Sequence, residues 1–222
     1  MMATGSLGMP PPPGGGAEEN RWTAAVRREP SHSQRYAERW RRLEASGQDI
    51  HGEARLIDAM AARGSRILDA GCGSGRVAGY LARAGHDVLG VDLDPHLIEA
   101  ARAEQPGVRF EQGDLARLDL RDAVGERPEF DLIVSAGNVL TFLAAAERLP
   151  ALRGMAAYLA PDGRLVVGFG LDRGYGAEDF LADASAADLT LQARFSSWDL
   201  RPADDGFLVA LLGHAEAPPA AS

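Results

Sequence analysis

An α/β protein with a doubly wound, mostly parallel sheet and an antiparallel edge is the fold class the sequence predicts. Three observations carry that expectation. An apolar strand, Ile67-Leu68-Asp69-Ala70, runs into Gly71-Cys72-Gly73-Ser74-Gly75, and a helix-like stretch follows. Short apolar runs then alternate with helix-period segments as far as Ala186. The chain closes on two strand-like runs, Leu189 to Ser197 and Phe207 to Leu212, with Pro202-Ala203-Asp204-Asp205-Gly206 between them. So short a polar connection pairs strands antiparallel, because a parallel return needs a longer crossover.

Residues 1–20 hold Pro10-Pro11-Pro12-Pro13-Gly14-Gly15-Gly16 and almost no apolar side chains, a composition that predicts disorder. Residues 21–64 read as an N-terminal helical cap. It opens with an arginine-rich segment in which Tyr36 and Trp40, four apart, share a face of a helix over Ser33 to Ala45. Gly47 stops that helix. A second runs from Asp49 to Ala62 with Gly64 as its cap.

The main domain spans residues 65–216. Its strands are expected at Arg66 to Ala70, Asp87 to Val91, Val108 to Gln112, Phe130 to Ser135 and Arg164 to Phe169, before the terminal pair. Helices are expected at Arg76 to Ala84, from Pro95 to Glu104, over Leu140 to Leu159 with an interruption near Pro150, and at Glu178 to Ala186. Pro95 suits a first helical turn and Asp94 its N-cap. Leu115 to Glu129 receives no regular structure.

Composition narrows the function classes. The 222 residues carry a net charge of −9, and all 23 basic residues are arginine. An acidic surface argues against a nucleic-acid backbone or an anionic membrane as partner. No apolar run approaches the roughly 20 residues that span a bilayer. With Cys72 as its one cysteine, the chain can form no internal disulfide, and a cytoplasmic protein is expected, monomeric or homodimeric.

The glycine corner points to a nucleotide-type ligand, since glycines admit close backbone approach and the next helix presents free amides. A dinucleotide fingerprint spaces its glycines G-x-G-x-x-G. Here Gly71, Gly73 and Gly75 bring the third glycine one residue early, and Asp69 stands two residues ahead of the first. A carboxylate there repels a pyrophosphate but welcomes the ammonium of an amino-acid tail. S-adenosylmethionine has such a tail. Asp92, ending the second strand, is placed to accept hydrogen bonds from both ribose hydroxyls. Asp114, ending the third, is placed to accept from the exocyclic amine of adenine, with Leu93 and Leu115 on either side of the purine.

Taken together, Leu68 to Gly75, Gly90-Val91-Asp92-Leu93-Asp94, Gly113-Asp114-Leu115, Phe130 to Ser135 and the terminal hairpin resemble the class I S-adenosylmethionine-dependent methyltransferases acting mainly on small molecules. The likeness spans Ser33 to His214. It implies a Rossmann-like, seven-stranded sheet and places cofactor contacts at Asp69, Gly71, Asp92, Asp114 and the Ala136 region. Cys72 and Gly73 fall within the same loop, and Tyr36 and Trp40 are candidates to close over the cofactor. Phe142, Phe169 and Trp198 are further aromatic candidates for the pocket wall.

No residue stands out as a catalytic base. His51 is the one candidate, because the helix before the first strand is placed to cap a substrate cleft. Methyl transfer from a sulfonium needs alignment more than acid or base, and alignment alone supplies roughly 7–11 kcal/mol. No His/Cys/Asp spacing resembles a metal site. Ser135-Ala136-Gly137-Asn138 lacks the Asn/Asp-Pro-Pro-aromatic tetrapeptide of amino-directed DNA methyltransferases. The expected activity is therefore methylation of a small molecule. A cofactor-holding module without turnover and an NAD-type oxidoreductase are the alternatives.

Overall fold

The computed structural model describes residues 19–215. The expected disorder of 1–20 falls outside that range except at Glu19 and Asn20, as does residue 216 of the domain boundary. A seven-stranded sheet forms the centre: β1 (Arg66–Ala70), β2 (Asp87–Asp92), β3 (Arg109–Gln112), β4 (Phe130–Ser135), β5 (Leu159–Gly170), β6 (Leu189–Phe195) and β7 (Phe207–His214). Its order is β3-β2-β1-β4-β5-β7-β6. The pairings up to β5 are parallel and those involving β7 antiparallel. The order reverses between β1 and β4, so a crevice opens above their carboxyl ends, where ligands bind in open α/β sheets.

Both faces are covered. Helices α3 (Gly52–Met60), α4 (Arg76–Arg83) and α5 (Pro95–Glu104) bury Ile57, Leu81 and Ile98 against Ile67, Leu132 and Val134 of the sheet. Helices α6 (Val139–Phe142), α7 (Ala145–Ala157) and α8 (Ala177–Ala186) place Leu140, Leu152 and Phe180 against Ile133, Leu165 and Val167. The alternation of Leu165 and Val167 to one face and Val166 to the other follows the period of two along a strand. Two further helices, α1 (Arg21–Arg28) and α2 (His32–Ala45), lie against α5 and the carboxyl edge. Among the described residues no helix is long and apolar enough to cross a membrane.

Several elements depart from expectation. Helix α1 has no counterpart in the sequence reading; Asn20 caps it, its side chain accepting from the amides of Trp22 and Thr23. Gly64 does not cap α3. That helix ends at Met60, where Ala61 turns extended, and Gly64 serves a left-handed turn before β1. Pro150 does not break its helix either. The break comes earlier, at the extended residues Leu143 and Ala144, and Pro150 rides inside α7. It sits on the exposed side, so the Ala146 carbonyl it leaves without a helical partner faces water. Leu115–Arg117, assigned no structure, forms a single 3₁₀ turn capped by Asp114.

Candidate functional site

The glycine corner folds as its composition requires. Gly71, Gly73 and Gly75 have φ of +84°, +55° and +80°. The Gly71 and Cys72 amides both donate to the Val91 carbonyl, at 2.8 and 2.9 Å, which lashes the loop to the end of β2. The Gly73 amide donates to Asp92 Oδ2 at 2.8 Å, and the Asp94 amide donates to Asp92 Oδ1 at 2.9 Å. Asp92 thus fixes the loop that follows β1 and the turn that starts α5 at once.

Above this corner lies one cleft of about 600 Å³, its open mouth included. Its lining combines Gly71, Gly73, Asp92, Leu93, Gly113, Asp114 and Leu115 with Trp22, Tyr36, Gly137, Val139 and Phe142. The charged side chains of the lining are both carboxylates, with no arginine or histidine among them. Such a wall offers acceptors to hydroxyls and amines and no cationic side chain to a phosphate. A ribose diol, a purine amine and an apolar purine face fit it; a pyrophosphate does not.

The aromatic wall comes from the cap. Trp22 meets Tyr36 and Phe142 edge-on, at centroid distances of 5.2 and 5.6 Å. The Tyr36 ring lies so close to Gly73 that a β-carbon there would sit 3.3 Å from its Cε1, and one on Gly137 would sit 3.9 Å from the hydroxyl. Tyr36 therefore spans the space between the ends of β1 and β4, over the glycine corner. Burial raises its pKa, so the phenol stays protonated.

Comparison with known proteins agrees with this geometry. Residues 67–163 match the family described as a methyltransferase domain. A solved TehB-like SAM-dependent methyltransferase from Corynebacterium glutamicum is 53% identical, with a TM-score of 0.78. The match covers 84% of this chain and 100% of that one. The chain belongs to the class I S-adenosylmethionine-dependent methyltransferases. Magnesium-protoporphyrin O-methyltransferase of Rhodobacter capsulatus is 37% identical over 96 residues, covering 41% of this chain and 39% of that protein. Ribosomal protein L11 methyltransferase of Ralstonia nicotianae is 32% identical over 164 residues, 69% of this chain and 49% of its own length. The chain spans less than half the length of these curated relatives.

Within this methyltransferase the expected site residues divide into two groups. Tyr36, Gly71, Gly73, Asp92, Leu93, Asp114 and Leu115 line the cleft, and Phe142 joins them. The others lie outside its lining. Asp69 is buried under the glycine corner, where its Oδ2 accepts from the Ala78 amide at 3.0 Å. Cys72 is buried with its thiol pushed well above the ordinary range by burial, and Ala136 belongs to the core beside Val134. Trp40 stands behind Tyr36 and carries the Arg76 guanidinium on its ring at 4.3 Å, while Arg76 grips Glu53 through two contacts of 2.8 and 2.9 Å. Trp40 props the wall; it does not face the cleft.

His51 is not brought to the cleft either. Its ring tilts against Tyr80 at 5.1 Å, with Nε2 3.8 Å from Glu44, and burial lowers its pKa. Phe169 is sealed in the core, stacked on Tyr175, and Trp198 lies on Gly168, where a β-carbon would come 2.8 Å from its Cε2. Residues the sequence reading missed are Asn20, Trp22, Leu97, Val139 and Leu143. The available signal for the first two was Asn20 itself, an N-cap residue directly ahead of Arg21-Trp22-Thr23.

Burial raises two carboxyl groups here: Asp69 to about 7, offset by the Ala78 amide, and Asp92 to about 6, offset by the Asp94 and Gly73 amides. Both folded values lie above those of an unfolded aspartate. Between about pH 4 and 7 the folded chain therefore holds protons that the unfolded chain has released, and these groups lower its stability as pH rises. Ligand hydroxyls need the ionised Asp92, so affinity runs the other way. Titration calorimetry with S-adenosylhomocysteine should show constant affinity above about pH 7, then weakening below about 6 by up to tenfold per pH unit. Asp92→Asn should remove most of that slope; an unchanged slope assigns the proton elsewhere.

Proposed function

We propose that the protein transfers a methyl group from S-adenosylmethionine to a small-molecule acceptor. Asp92 is suited to hold the ribose diol. Asp114, Leu93 and Leu115 are suited to the adenine, and the corner at Gly71 and Gly73 to the amino-acid tail. When bound, that cofactor supplies an electrophilic methyl on a sulfonium. The chain's part is to fix the two reactants in line and to exclude water. Trp22, Tyr36 and Phe142 make the dry wall for this, with π faces that favour a cation.

One observation carries the acceptor class. The start of helix α1 lies against the cleft as a strap tied at both sides. Arg21 Nη1 donates to the Arg173 carbonyl at 2.6 Å beyond β5, and Trp22 Nε1 donates to Asp94 Oδ2 at 2.8 Å beyond β2. A strap so placed leaves room for a reactant enclosed beneath it and obstructs a side chain presented by a large folded partner. Tritium-labelled S-adenosylmethionine, offered with a protein-free metabolite extract or with intact ribosomes, tests this directly. Label is expected in the extract. Label confined to ribosomal protein overturns the acceptor class, and label in neither favours a module without turnover. A thermal-shift comparison separates the cofactors: S-adenosylhomocysteine should raise the melting temperature and NAD should not.

A further inference from the structure

Asp94 has two tasks in the fold, and its two carboxylate oxygens divide them. Oδ1 accepts from the His96 amide at 2.9 Å and caps α5, the ordinary task of an aspartate before Pro95. A serine or asparagine would cap as well. Oδ2 does nothing for α5. It accepts instead from Trp22 Nε1 of α1, at 2.8 Å, and from the Ser33 hydroxyl of α2. The carboxylate is 4% exposed and Ser33 1%. A buried carboxyl oxygen needs hydrogen-bond donors, and in this structure the cap helices supply both.

The same residue reaches the cofactor corner. The Asp94 amide donates to Asp92 Oδ1, and Asp92 Oδ2 holds the Gly73 amide. Trp22 in turn presents its ring to the cleft beside Tyr36 and Phe142. One short chain of hydrogen bonds therefore joins the strap over the cleft to the carboxylate beneath it. We infer that Asp94 is the latch of a gate: its Oδ2 holds α1 and the start of α2 shut over the cleft, and ligand passes only when Trp22 and Ser33 let go. Asp94 is then a positioning residue, acting through Asp92 and Trp22 and touching no reactant. The inference rests on the proposed cofactor assignment.

A gate has a kinetic signature that a damaged pocket lacks. The latch bonds exist in the closed protein before ligand arrives and persist after closure over it, so they slow arrival and departure alike. Loosening them should raise both rates and leave their ratio nearly unchanged. Stopped-flow binding of S-adenosylhomocysteine, followed by tryptophan fluorescence, measures both. Ser33→Ala removes one of the two donors to Oδ2, and Asp94→Ser removes Oδ2 itself while keeping a cap for α5; both leave Trp22 in place as the reporter.

In both variants the association and dissociation rate constants should rise together, by about tenfold for each hydrogen bond to Oδ2 that is lost, while Kd moves by less than about threefold. Dissociation rising alone, with Kd in step, would mean that the residue merely shapes the pocket, and the latch is refuted. Association rising alone refutes it as well, as do unchanged rates in both variants. Failure of the unmutated protein to bind S-adenosylhomocysteine sinks the cofactor assignment instead, and the two failures are distinct. Should Asp94→Ser not fold, the Ser33 variant decides the matter, since Ser33 does not cap α5.

Discussion

Asp92→Ala should yield a folded protein that no longer holds S-adenosylhomocysteine. The substitution removes the carboxylate that is placed to accept two hydroxyl donors in the cleft. Hydrogen bonds to a charged acceptor contribute about 1.5–3 kcal/mol each, so affinity should fall by two to three orders of magnitude, roughly 3–4 kcal/mol. Stability should change much less, because two effects oppose. The Gly73 and Asp94 amides lose their acceptor, at 2.8 and 2.9 Å. Against that, a carboxyl whose pKa burial has raised to about 6 no longer has to be kept dry and ionised at neutral pH. Asp92→Asn should fall between, since its amide keeps one acceptor oxygen. Calorimetric titration gives the affinity and circular dichroism the fold. An affinity within about threefold of the unmutated protein, with the fold intact, would remove Asp92 from the ribose site and leave the cleft without its chief acceptor.

The parts of this protein legible in sequence were those whose signals are local. Strands β1 and β4 and helix α5 fall where expected because an apolar run, or a Pro95 after a capping Asp94, decides them within a few residues. The glycine corner and the acids beside it were legible for the same reason. Glycine spacing and acids at strand ends are written in short stretches, and a parallel sheet gathers its strand ends at one edge. The opening helix of the cap, α1, was not legible. An eight-residue helix rich in arginine cannot hold itself in water. What holds α1 is Asp94, Arg173 and the aromatic contact with Tyr36, at sequence separations of 72, 152 and 14. Trp22 accordingly went unread, although it forms a wall of the cleft. His51 and Trp40 illustrate the converse error. Residue type and approximate position suggested the cleft. The turn of each helix about its own axis, which no short stretch encodes, sends one ring to Tyr80 and the other beneath Arg76.

Gly71→Ala should be the most damaging single-atom change in the corner, for two separable reasons. The first is conformational: φ is +84°, and an L-residue held in the left-handed region pays about 1–2 kcal/mol. The second is steric. A β-carbon on residue 71 would stand 2.6 Å from Val139 Cγ1 and nearer still to Cγ2, well inside van der Waals contact. Val139 opens α6 and lines the cleft, so it cannot retreat without moving the cleft wall. Overpacking of this kind costs about 1–3 kcal/mol. Together the two should lower the melting temperature by about 5–15 °C in a domain of this size. They should also weaken S-adenosylhomocysteine binding by at least about tenfold, because the corner and its opposing wall are pushed apart. The double variant Gly71→Ala, Val139→Ala separates the causes. Removing both γ-carbons relieves the worst of the clash and leaves the residue-139 β-carbon at 3.0 Å and the strained φ, so much of the binding and up to about half of the stability loss should return. No recovery would show that backbone conformation alone dictates glycine here. Full recovery would show that the corner tolerates a β-carbon, and that its glycine serves only the close approach of Val139.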